Sequence, residues 1–195
     1  MKKIQFYYIQ VIQFFQVKNL FKKIASHEVI LEDVHHYFVL RGCNPKKTSD
    51  FDRFKHLMKY YPEFVFIFQW RTSLLNRRLK KIFNYPNYQC KLFKSTKIDG
   101  GLSCFHPFAT VINAKRIGKN FEFRNGLTIG NKNNDNDLLP TIGDNVTAGA
   151  NVCIIGKINI GNHVVIGAGS IVVKDVPDGV IIAGNPAKII KKLDS

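Results

Sequence analysis

Apolar and polar positions follow two rhythms along this chain, one in each half. In the second half Ile142, Ala148, Ile154, Ile160, Ile166 and Val172 recur every six residues. A second small or apolar set, Val146, Val152, Ile158, Val164 and Ser170, follows four places behind each. A helix repeats every 3.6 residues and a strand every two, so neither gives a period of six. Period six predicts a parallel β-helix, in which each hexamer is one flat face, three make a coil, and stacked coils bury what one repeat cannot. The repeat starts at Ile98-Asp99-Gly100-Gly101-Leu102 and Cys104-Phe105-His106-Pro107, resumes from Ile117 to Gly130, and runs to about Val173. Its register breaks between Gly130 and Ile142. There Asn131 to Pro140 is polar and asparagine-rich, and reads as a loop ejected from a rigid scaffold, a common place for function.

The first half reads as helices. Residues 1–25 form an amphipathic helix rich in Phe, Tyr and Ile, and a second helix spans His27 to Leu40, closed by Arg41-Gly42. Ser49 or Asp50 caps a third through Tyr60. Pro62 starts a fourth, which continues past Trp70-Arg71 toward Ile82. Phe64 to Phe68 is apolar nearly all round, which favours burial between helices over contact with lipid. The expected class is α+β, with a basic helical region over 1–96 and a β-helix over 97–195 that carries one ejected loop and a short basic C-terminal tail.

Charge separates the halves. Of the 29 Lys and Arg, 19 fall in residues 1–97 against 6 Asp and Glu, a surplus of 13; residues 98–195 hold 10 against 8, a surplus of 2. The basic half suits an anionic surface such as phospholipid, or simply a solvated face. No nucleic-acid recognition motif accompanies it. Cys43, Cys90, Cys104 and Cys153 are scattered without a CxxC pair, which suits a reduced, cytoplasmic protein. The apolar start is interrupted by Gln5, Gln10, Gln13 and Gln16, unlike a signal peptide. No apolar run approaches the roughly 20 residues of a membrane span. The expectation is a cytoplasmic protein that is soluble or peripheral to the inner face of the membrane.

The period-six run, with Ile166 to Val172, Lys174-Asp175-Val176-Pro177 and Ala183-Gly184-Asn185-Pro186-Ala187-Lys188, resembles the hexapeptide-repeat acyltransferase family. Gly101-Leu102 to His106, Val111-Ile112-Asn113, Leu127-Thr128-Ile129-Gly130 and Tyr61-Pro62-Glu63-Phe64 resemble its serine acetyltransferase branch. The likeness is closer to members encoded with surface-polysaccharide biosynthesis. The resemblance implies a left-handed coil, a homotrimer or dimer of trimers with active sites between subunits, and acetyl-CoA as cosubstrate; no metal is expected. It places His106 at the catalytic histidine. A hydroxyl is nearly unionised at neutral pH, so its attack on a thioester needs such a base. A backbone N–H of the turn from Thr128 to Asn131 is then placed to stabilise the oxyanion. By the same resemblance Gly130, Asn131, Ala150 and Ala168 line the CoA groove, Lys174 and Lys188 are candidates for its phosphates, and Asp33 is the nearest acid of the helical region for the acceptor. His163 reads as an exposed coil residue. Glu32 with His35 or His36 falls on one helix face, a metal pair or, the favoured reading, simply a polar helix surface.

Three departures bear on the acceptor. The branch has an aspartate before its histidine, where this chain has Phe105. It has an acid about fifteen residues earlier to orient the imidazole, where this chain has Lys91. It has an Arg-His pair before the loop proline, where this chain has Leu138-Leu139 and then Pro140. An amino acid needs a cation for its carboxylate and an anion for its ammonium. Phe105, Leu138 and Leu139 suit a sugar ring better, and Asn125 or a backbone carbonyl is left to orient His106. The leading expectation is acetyl-CoA-dependent O-acetylation of a sugar hydroxyl in surface-polysaccharide assembly. The alternatives are serine O-acetylation in cysteine biosynthesis and a non-catalytic trimeric scaffold.

Overall fold

The computed structural model describes residues 2–46, 48–83 and 85–193, with side chains from residue 13 onward. The chain divides into two compact units, Met1–Pro86 and Asn87–Ser195.

The first unit holds helices α1 (Lys2–Ile24), α2 (Glu28–Leu40), α3 (Asp50–Tyr60), α4 (Pro62–Thr72) and α5 (Arg77–Ile82). From residue 13 on, α1 buries Val17, Leu20 and Ile24 at helical spacing and exposes Lys18, Lys22 and Lys23; its first turns lie outside the described side chains. Ser49 caps α3, its hydroxyl accepting the Asp52 N–H at 3.1 Å, and Pro62 opens α4 at a position where no N–H is needed. Glu63 to Phe68 are all buried, as the apolar run predicts. The expected continuation of α4 to Ile82 does not occur. Ser73 turns left-handed at φ 54° and closes α4, and the Asn76 side chain accepts the Leu79 N–H at 3.0 Å to start α5.

The second unit is a parallel β-solenoid with, among the described residues, about five coils. Its first face stacks β1 (Lys91–Leu92), β4 (Val111–Ile112), β7 (Thr128–Gly130), β10 (Cys153–Ile155) and β13 (Ile171–Val172). Its second face stacks β2 (Lys97–Ile98), β5 (Arg116–Ile117), β8 (Thr141–Ile142) and β11 (Asn159–Ile160), with Val176 bridging to Ile160. The third stacks β3 (Ser103–Phe105), β6 (Glu122–Arg124), β9 (Thr147–Ala148), β12 (Val165–Ile166) and β14 (Val180–Gly184). Both period-six sets point inward: Ile142, Ala148, Ile154, Ile160, Ile166 and Val172 are buried, and so are Val146, Val152, Ile158, Val164 and Ser170. The first coil begins at β1, one hexamer before Ile98. The expected tail is instead β15 (Ala187–Lys192), which folds back antiparallel on β14 beyond a cis Asn185–Pro186 bond.

Between the second and third faces the chain turns through a column of left-handed residues, Gly101, Asn120, Asn145, His163 and Gly179. Asn tolerates this conformation because its short amide bonds locally. The Asn120 amide donates to the Asn145 Oδ1 at 2.9 Å, and the Asn145 amide lies 3.5 Å from the His163 Nε2. His163 is thus one rung of a corner ladder. The register break is also where expected: coil three leaves the prism after β7, forms a bridge between Lys132 and Asp135 and a 3-10 turn at Asn136–Leu138, and returns at β8.

Candidate active site

His106 stands at the end of β3, where the third face turns toward the first. Residues 106–110 make this connection, which is longer than the corresponding turn of the next coil between β6 and β7. Pro107 and Thr110 are buried and pin the turn, whereas His106, Phe108 and Ala109 are exposed. The Phe108 N–H donates to the His106 carbonyl at 2.6 Å, and the Phe108 carbonyl accepts the Gly126 N–H at 2.8 Å. The Phe108 ring meets Tyr88 edge-on, with centroids 4.9 Å apart. This bracing holds His106 at φ 49°. A non-glycine residue in that region is uncommon, and such residues concentrate at functional sites.

Strand register places the other candidates on two edges. Phe105 pairs with Arg124, so Asn125 of coil two follows at the level of His106. The stacking of β6, β9 and β12 carries the column on to Ala150 and Ala168. The Asn125 carbonyl accepts from Asn151 and the Ala150 carbonyl from Gly169, at 2.9 and 2.8 Å. His106, Asn125, Ala150 and Ala168 therefore share one edge. Gly130, Asn131 and Lys174 lie on the next edge, where the first face ends. The first face separates the two edges. Leu138 and Leu139, half-buried, sit in the ejected loop beyond Gly130, and the Asn131 amide is turned into that loop, donating to the Asn136 Oδ1 at 2.9 Å.

The glycines differ in their reason for being there. A Cβ on Gly149 would lie 2.7 Å from the Ala168 nitrogen, and one on Gly167 would lie 2.9 Å from the Ala183 Cβ, so coil stacking dictates both. At Gly130 a Cβ would meet only the Ile155 Cδ1, at an ordinary 3.7 Å, and the backbone there is not left-handed. Among the described residues nothing excludes a side chain at Gly130, so its bare backbone leaves room for an extended ligand such as the pantetheine arm. Lys174 and Lys188 come together at the C-terminal end of the prism, lining a cleft of about 150 Å³ with Val173, Pro186 and Ile189. Burial pushes the Cys153 thiol up, which makes it a poor thiolate nucleophile on this face.

Lys91, which stands where the orienting acid is missing, and Asp33, the expected acid of the acceptor site, are both engaged by neighbours. The Lys91 ammonium lies 4.4 Å over the Phe93 ring. Asp33 is 1% exposed within the helical unit and receives both the Arg71 Nε–H at 2.8 Å and an Arg71 terminal N–H at 3.1 Å. One residue escaped the sequence reading: Arg124, whose guanidinium lies 4.9 Å over the Phe105 ring. A single exposed arginine has no periodic signature, and only strand register sets it beside Phe105. Among the described residues no group of three or more His, Cys, Asp or Glu is placed to hold a metal. No helix among them is long and apolar enough to cross a membrane.

No family model matches the chain. WcaB of Escherichia coli strain K12, assigned as an acetyltransferase of colanic acid biosynthesis, is 46% identical over 85 residues, 43% of this chain and 52% of that protein. The serine acetyltransferase of Buchnera aphidicola subsp. Schizaphis graminum is 34% identical over 125 residues, 63% of this chain and 46% of that protein. The chain thus spans about half the length of these relatives. The crystal structure of serine acetyltransferase in complex with coenzyme A from Brucella abortus strain S19 matches with a TM-score of 0.67 and 25% identity, over 92% of this chain and 74% of that one. Repeat, solenoid and relatives are all similar to the hexapeptide-repeat acyltransferases of the serine acetyltransferase-like branch.

Proposed function

We propose that the chain is an acetyl-CoA-dependent O-acetyltransferase that acts on a sugar hydroxyl, in the manner of enzymes of surface-polysaccharide assembly. The observation that carries this reading is the exposed, conformationally strained His106 on an edge otherwise built of small residues. The likeness to an acetyltransferase of colanic acid biosynthesis supports the sugar, and the likeness to a serine acetyltransferase solved with coenzyme A supports the donor.

In this mechanism the His106 imidazole takes the acceptor hydroxyl proton as that oxygen attacks the acetyl carbonyl carbon. The tetrahedral oxyanion is held by a backbone N–H of the turn from Thr128 to Asn131. The carbon–sulfur bond then breaks, and His106 returns the proton to the departing CoA thiolate. Gly130 leaves room for the donor, and Lys174 and Lys188 meet its phosphates. Because the His106 edge and the Gly130 edge flank one face of a single prism, a complete site needs two copies, with the edge of one against the loop edge of the next; a trimer closes this arrangement.

Phe105, Leu138 and Leu139 favour the apolar side of a sugar ring over the paired charges of serine. The test measures CoA release with simple glycosides and with serine as acceptors, for the wild type and for His106→Asn. The expected result is turnover of sugars above serine and a loss of about 10²- to 10⁴-fold on removing the base. Rapid turnover of serine with none of sugars overturns the acceptor, and intact transfer by His106→Asn overturns the base.

A further inference from the structure

We infer that the acceptor is an anionic sugar and that Arg124 is the residue that selects it. This rests on the sugar-acetylating reading above and deepens it.

Three observations converge beside His106. First, register sets Arg124 directly opposite Phe105, the residue that precedes His106. Second, the guanidinium lies 4.9 Å over the Phe105 ring, so the cation rests against an aromatic face. Third, the side chain remains 49% exposed, and among the described residues its hydrogen-bonded partner is the Glu122 Oε1 at 3.4 Å. That is long for a charge-assisted pair, which closes to about 2.7–2.9 Å. A guanidinium carries five N–H donors in a planar fork. A half-exposed fork with one long contact therefore keeps donors available for a two-oxygen anion.

Phe105 offers a partly buried ring and Arg124 a fixed cation, adjacent to the base. A sugar with an apolar ring face and a carboxylate or phosphate matches both at once. A neutral sugar leaves the cation unanswered. Free serine also carries a carboxylate, but its ammonium would have to compete for Glu122, which is already paired with Arg124, and Phe105, Leu138 and Leu139 offer it no charge. Glu122 is the acid nearest the fork and holds part of its charge, so the anion competes with a loose internal pair for the guanidinium.

The experiment uses the full chain with acetyl-CoA and three probes: methyl glucoside, methyl glucuronide and glucose-6-phosphate. CoA release gives kcat and KM for each, in the wild type, Arg124→Gln and Arg124→Lys. The expected wild-type preference for an anionic probe over the glucoside is about 10- to 100-fold in kcat/KM. The glucuronide and phosphate arms identify which anion is read. Arg124→Gln brings the ratio close to one, mainly through KM, and Arg124→Lys restores part of it because charge returns without the fork.

A wild-type ratio near one, or a ratio that Arg124→Gln leaves unchanged, overturns the inference. A rise confined to the KM for acetyl-CoA also overturns it, by assigning Arg124 to the donor. If serine turns over and no sugar does, the sugar reading itself falls, which is distinct from either result.

Discussion

Asp33 offers the sharpest separation of a structural role from a catalytic one. It is 1% exposed, both carboxylate oxygens take N–H groups of Arg71, and the Arg71 side chain is itself only 9% exposed. Asp33→Asn keeps the volume but removes the charge and turns an amide toward the guanidinium, leaving a buried cation without its counter-ion. Breaking a buried pair from one side costs about 3–5 kcal/mol. For a unit of this size each kcal/mol moves the midpoint by about 4–8 °C, so the helical unit should melt at least ~12 °C lower. The chain has one tryptophan, Trp70, and the Arg71 guanidinium lies 5.1 Å over its ring. Trp70 fluorescence in the full chain, followed against temperature and urea, therefore reads this pair directly. Pairing Asp33→Leu with Arg71→Met should recover most of the loss, since apolar replacement of both partners removes the stranded charge. An unchanged Trp70 midpoint together with lost acetyl transfer would refute this reasoning and move Asp33 to the acceptor site.

Three further outcomes test the solenoid. Phe123, fully buried and stacked on Phe121 with centroids 6.0 Å apart, should cost about 3–5 kcal/mol as Phe123→Ala, read as a lowered midpoint of the β circular-dichroism signal. Asn145→Val forces a β-branched residue to φ 57° and breaks the corner ladder, a loss of about 2–3 kcal/mol; Asn145→Gly should regain the conformational part, and equal losses for both would discredit the strain argument. Burial pushes the Cys90 thiol from 9.0 up to about 12, so folded Cys90 should resist iodoacetamide at pH 8 and react once unfolded. The sign follows from the raised value: this contribution to stability is complete below pH 9.0 and is lost as pH rises toward about 12.

The solenoid core was legible because period six is a geometric demand. One branched or small side chain per face must fill the prism, and every residue from Ile142 to Val172 in that set does so. The ejected loop was legible for the opposite reason, as polar residues with nothing to bury. Leu92 hid the first strand because Leu92-Phe93 is an isolated apolar pair between Lys91 and Lys94, without the glycine that marks later corners. The end of α4 was hidden because Thr72-Ser73-Leu74-Leu75 contains neither Gly nor Pro, and serine takes the left-handed turn. Similarly, β15 read as a tail because half of Ala187 to Lys192 is lysine; its strand exists through pairing with β14, which local sequence does not encode. At the site, the resemblance supplied His106 and the small-residue positions. What it lacked was register, which places Arg124 beside Phe105 and shows the candidates divided between two edges.

The stacking of coils has a consequence for ligand length. Parallel strands lie about 4.8 Å apart, so the axial distance from the coil of His106 to the coil of Lys174, four steps later, is about 19 Å. That distance is graduated in whole coils, whatever number of residues each coil or its loop contains. Gaining or losing one coil would shift the imidazole from the two ammonium groups by one fixed division and leave every corner turn as it is. On the proposed assignment of these residues the prism would act as a gauge, accepting an extended molecule by its length at the two ends and by its chemistry only at the first.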